Sequence, residues 1–135
     1  MTALTELRAK VANGTAKPFS IFNKYDTTWE PLYPNARDAS NAYFGSLDAA
    51  KSLHEAVLPG WFVTITRLCK EWDGSTERFE PDDWRVELSD GVRGRWDDDA
   101  DVETGFHSAD NADPARAWLL AILDALIAKE DRADG

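Results

Sequence analysis

The run Asp113-Pro114-Ala115-Arg116-Ala117-Trp118-Leu119-Leu120-Ala121-Ile122-Leu123-Asp124-Ala125-Leu126-Ile127-Ala128-Lys129 decides the fold class. Asp113 can accept a hydrogen bond from the free N–H groups of a first helical turn. Pro114 suits the first helical position, because the N–H it lacks would have no partner there anyway. Ala115, Trp118, Leu119, Ile122, Leu123, Leu126 and Ile127 then recur at spacings of three and four, with Arg116, Asp124 and Lys129 off that stripe. A helix over 114–129 with so wide an apolar face must lie on a sheet or on another helix. None of its residues carries chemistry, so this stretch speaks to architecture and not to activity.

Working outward, Leu4, Leu7 and Val11 predict a first helix over 2–13, with Gly14 placed to take the left-handed conformation after it. A further helix is expected over 47–58, through Leu47, Ala50, Leu53, Val57 and Leu58, stopped by Pro59-Gly60. Strands are expected near 61–70, 84–89 and 92–97. The first is rich in β-branched and aromatic residues, and its nearly continuous apolar start implies burial on both faces at that end; the other two flank Asp90-Gly91, a pair suited to a tight hairpin turn. Residues 71–83 read as an acidic loop. Residues 15–45 hold Pro18, Pro31 and Pro34 with seven aromatic residues and no sustained period, and are expected as an ordered, irregular segment wrapped over the core. The fold class is therefore α+β: a small, mainly antiparallel sheet with helices packed on it as an α/β/α layered sandwich, in one domain over 1–135.

At 43% apolar and 30% charged residues the chain is globular in composition. Its net charge of −10 is concentrated. Residues 1–70 hold eight Lys/Arg against six Asp/Glu, residues 71–103 four against thirteen, and residues 104–135 three against six. Phosphate binding needs clustered Lys and Arg, so nucleic acid is disfavoured as a partner. The longest apolar run, Ala117 to Ala128, is too short to span a bilayer and contains Asp124, which argues against a membrane partner. With no export signal to be read at Met1, a cytoplasmic setting is expected. The single cysteine, Cys69, can form no internal disulfide and no structural zinc site.

No catalytic motif emerges. His54-Glu55 sits on a predicted helix, but Leu58 occupies the place where a zinc protease would carry its second histidine, and His54 reads as a residue of the polar face or its boundary. The aspartates at 97, 99 and 101 have the spacing of a calcium loop; Val102 stands where the sharp turn needs Gly and Ser108 where a bidentate Glu should close the site. No metal, no cofactor and no enzymatic activity are expected. What remains is a binding hypothesis over Trp72, Trp96, Asp97, Asp98, Asp99, Asp101 and Glu103. The carboxylates would imitate a phosphate track facing a basic partner groove, and the tryptophans are of the type enriched at interaction surfaces. Of the six tryptophans, Trp61, Trp84 and Trp118 fit core positions by pattern, whereas Trp29, Trp72 and Trp96 lie at element ends or in loops and are the candidates for contact with a partner.

Three segments together resemble the phage ABA-sandwich domain, a family of small bacteriophage and prophage proteins. They are Thr2-Ala3-Leu4-Thr5-Glu6-Leu7, the block Ser46-Leu47-Asp48-Ala49-Ala50 ending in Leu58-Pro59-Gly60-Trp61, and Asp113-Pro114-Ala115-Arg116-Ala117-Trp118-Leu119-Leu120-Ala121. The segment 16–43 departs from the shorter helical insert of that family. The resemblance implies a layered helix–sheet fold and a phage setting in a bacterial host, and it brings no catalytic residues. The expectation for function is an accessory protein that binds a protein partner, with an anti-defence or DNA-mimic role as one form. A nucleotide- or metabolite-binding protein or enzyme with its pocket in the aromatic 19–44 segment is the second reading, and a structural homo-oligomer the third.

Overall fold

The computed structural model of the protein describes residues 3–20, 27–69, 81–90 and 106–134. Along the chain come α1 (Ala3–Asn13), a short 3-10 turn (Glu30–Leu32), α2 (Ala36–Tyr43), α3 (Leu47–Val57), β1 (Phe62–Cys69), β2 (Pro81–Ser89), β3 (Phe106–Asn111) and α4 (Pro114–Asp134). The α+β class is what the chain adopts: among the described residues, four helices pack with a three-stranded antiparallel sheet of order β1-β2-β3.

The helix ends follow from local chemistry. Gly14 takes φ +73° after α1, where its N–H donates to Val11 O and that of Thr15 to Lys10 O. Ser46 caps α3 by accepting from Ala49 N–H at 3.1 Å, and Gly60, at φ +83°, turns the chain into β1. Asp113 Oδ1 accepts from the N–H of Ala115 at 2.8 Å and of Arg116 at 3.4 Å, and Asn111 Oδ1 fixes Asp113 by accepting from its N–H.

Helix α4 is the central element. One side packs on β2 and β3, the other on α1, α2 and α3. Between Ala115 and Ala125 only Arg116 and Asp124 escape full burial. Both are tie points. The Arg116 guanidinium donates to Tyr43 O at 3.2 and 3.1 Å and lies 4.2 Å from the centre of the Tyr43 ring; Asp124 accepts from Arg8 of α1 at 2.5 and 3.3 Å. The apolar stripe read from the sequence is thus one sector of a helix covered nearly all round.

Three elements differ from expectation. Helix α2 lies within the segment read as irregular; its buried residues are Ala36, Ala39, Ser40, Ala42 and Tyr43, mostly too small to register as an apolar stripe yet well suited to close helix packing. Strand β2 starts at Pro81 rather than at Trp84, so the acidic segment read as a loop to residue 83 ends earlier; proline at a strand's first position sacrifices no ladder bond that the strand needs. Strand β3 had no sequence signal, because Ser108, Asp110 and Asn111 are poor strand formers; pairing with β2 imposes the extended form. The strand read over 92–97 lies outside the described residues.

Register sets the two faces of the sheet. Val63, Ile65 and Arg67 of β1 pair with Leu88, Val86 and Trp84 of β2, which pair in turn with His107, Ala109 and Asn111 of β3; this face turns to α4. The opposite face carries the rows Phe62–Ser89–Phe106, Thr64–Glu87–Ser108 and Thr66–Arg85–Asp110.

Candidate functional site

Trp72, Trp96, Asp97, Asp98, Asp99, Asp101 and Glu103 all lie outside the described residues. The other sequence candidates resolve into structural roles. Trp29 is a correction: it is 2% exposed, its ring centre lies 5.8 Å from that of Tyr43, and its Nε1–H donates to Lys17 O at 2.6 Å. It pins the segment after α1 to the core, and so does Ser40, whose Oγ accepts from Phe19 N–H at 2.9 Å. His54 also differs from expectation, being 5% exposed rather than on a polar face. Its Nδ1 accepts from the indole N–H of Trp118 at 3.2 Å. Indole nitrogen only donates, so the imidazole proton sits on Nε2, which donates to Trp61 O at 3.0 Å. Both ring nitrogens are spent holding α3, α4 and the entry to β1 together, which leaves His54 neither a base nor a ligand.

Part of the aromatic segment lines a groove, in which Thr27, Thr28, Glu30 and Pro31 meet Ala3, Glu6, Leu7 and Lys10 of α1. That groove has a volume of about 400 Å³, and one of about 350 Å³ lies between Arg8 and Ala12 of α1 and Ser108 to Asn111 of β3; among the described residues no aromatic side chain lines either. The second groove contains two neutralised cations. Arg8 is bound by Asp124, and Arg85 donates from Nε to Asp110 at 2.9 Å and from Nη2 to its other oxygen at 3.1 Å. The hydrogen bond from Arg85 holds the Asp110 carboxyl below its ordinary range, and the same bond raises the guanidinium in return. Among the described residues no three His, Cys, Asp or Glu side chains could share a metal ion, and no helix is long and apolar enough to cross a membrane.

The side of the sheet away from the helices is different in kind. Phe62 is 65% exposed and Phe106 37%, and they flank Ser89 in one row, about 10 Å apart across two strand spacings. Helix α4 packs on the other face, and Thr64, Thr66, Ser108 and Asp110 of this one are exposed. Its other rows are polar, so the two rings form an isolated apolar end of an otherwise hydrophilic surface. Strand β1 also reaches beyond the part of the sheet that α4 covers: Val63 and Ile65 are each 37% exposed, although their partners Leu88 and Val86 are fully buried. Patterning could not find this surface. Phe62, Val63 and Ile65 read as strand core; Val63 and Ile65 are exposed because α4 covers only part of its face of the sheet, and Phe62 because it lies on the opposite face. Compared with protein-family models, curated proteins and solved structures, the chain matches none.

Proposed function

We propose that this protein acts by binding a protein partner on the open face of its sheet, with Phe62 and Phe106 receiving an apolar side chain of that partner. The observation that carries the reading is this pair of exposed rings on either side of Ser89, on the face of the sheet opposite α4. Large aromatic side chains left in water at one place are characteristic of interaction surfaces, and such anchors dominate binding energy where they become buried. The charge of −10 points to a partner with a basic surface, whose association would be steered by long-range attraction and weakened by salt. The phage setting implied by the resemblance suits an accessory protein directed at a host or phage protein, and occupation of a basic groove in an anti-defence role is one form of that activity. In this reading the protein is not an enzyme.

The test compares Phe62→Ser, Phe106→Ser and Tyr33→Ser, since Tyr33 is 73% exposed and sits just before α2, among the helices. All three should fold as the parent does. The phenylalanine variants should lose a partner that the parent and Tyr33→Ser both retain, and retention by all four proteins with the same salt dependence would overturn the proposal.

A further inference from the structure

The two edges of the sheet are guarded differently. Strand β3 has α1 alongside, with Arg8 and Ala12 sharing a groove with Ser108 to Asn111, and it carries the charged Asp110. Strand β1 pairs with β2 on one side, and among the described residues nothing pairs with it on the other. From Phe62 to Thr66 it has no charge, no proline and no bulge, the devices by which proteins blunt an edge; the register shift comes only between Arg67 and Cys69. Phe62, Val63, Thr64, Ile65 and Thr66 are all exposed, so both faces of this edge are open.

From this we infer that β1 pairs with β1 of a second copy, joining two three-stranded sheets into one antiparallel sheet of six. The strand's own sequence argues for a second copy over another occupant. Continuing the sheet about a two-fold axis requires residues of the same face to meet. Centred on Ile65, the pairing sets Ile65 against Ile65, Thr64 against Thr66, and Val63 against Arg67. In these three pairs threonine meets threonine, a combination that stabilises a sheet, isoleucine meets isoleucine, and valine meets a lone cation, so no like charges oppose one another. The charge distribution points the same way. In a chain of net charge −10, residues 56–70 contain no Asp or Glu, so two copies approach at this strand without opposing carboxylates. An open face is not consumed by pairing at an edge, so Phe62 and Phe106 remain available to the partner proposed above, and the two inferences fail separately.

Light scattering on the full chain tests this, from micromolar to sub-millimolar protein. The parent should approach twice 15.1 kDa as concentration rises, and Ile65→Lys, which sets like charges against each other at an already exposed position, should remain at 15.1 kDa with an unchanged circular dichroism spectrum. Phe106→Ser should keep the dimer. In a Cys69→Ser background, Ile65→Cys should cross-link to a covalent dimer on mild oxidation, because facing Cα atoms about 4.5–5.5 Å apart lie within disulfide range, whereas Ser108→Cys on the guarded edge should not. A parent of 15.1 kDa throughout, a dimer that Ile65→Lys leaves intact, or a dimer that links through position 108 and not 65 would each overturn the inference.

Discussion

Replacing Leu123 by Ala removes three carbons from the helix that holds every layer together. Leu123 is fully buried in α4, with the sheet on one side of that helix and α1 to α3 on the other. Loss of the transfer free energy alone amounts to about 2 kcal/mol at roughly 0.8 kcal/mol per carbon. A cavity term of about 24 cal/mol per Å³ adds to it, and it is large where neighbours cannot follow the retreating side chain. Here neither layer can move in without dragging the other, so the cost should lie near 3–4 kcal/mol, against a total stability of about 5–15 kcal/mol for a small domain. In urea the midpoint should fall by about 2 M at a typical slope for this size, with the slope unchanged. Leu126→Ala, three residues on and only half-buried, should cost less than half as much. A loss below about 0.5 kcal/mol for Leu123→Ala would mean that α4 is not covered on both sides, and the layered arrangement would be wrong.

The same denaturation experiment checks three further outcomes. His54→Leu leaves the Trp118 indole N–H and the Trp61 carbonyl without their partner and should cost about 2–3 kcal/mol; a change under about 0.5 kcal/mol would mean that water replaces the imidazole. Asp113→Ala removes the cap of α4 and should cost about 1 kcal/mol, with Asp113→Asn restoring nearly all of it. The Arg85–Asp110 pair is exposed and should matter little at neutral pH, but its dependence on acid has a definite direction. Asp110 titrates lower in the folded chain than its ordinary 3.8, so whatever it contributes is present above that value and disappears as the pH falls below it. Measured as the stability difference between the parent and Asp110→Asn, the contribution should shrink below about pH 4, and a difference that grows there would contradict the assignment.

Strong local patterns made most of the fold legible. The Asp-Pro start and seven apolar positions of α4, the Ser46 cap and Pro59-Gly60 stop of α3, and the alternation of Trp84, Val86 and Leu88 each mark an element by residue type and spacing alone. Helix α2 escaped because alanine and serine make its contact face, and β3 escaped because tertiary pairing overrides the weak strand preference of its residues. Burial of Trp29 and His54 was not legible for a related reason. Each is fixed by a partner far along the chain, Lys17 O and Tyr43 for Trp29 and Trp118 for His54, and no local window contains those contacts. The exposed edge of the sheet was hidden in the same way, since a strand beyond the footprint of its covering helix has the same sequence as one beneath it.

The claim that the open sheet face is where this protein meets its partner is tested most directly by placing a photo-reactive phenylalanine analogue at position 106, and separately at position 33, in cells that make the protein. The account predicts one cross-linked partner from position 106, lost when salt is raised, and none from position 33. Cross-links that form from position 33 and not from position 106 would contradict it.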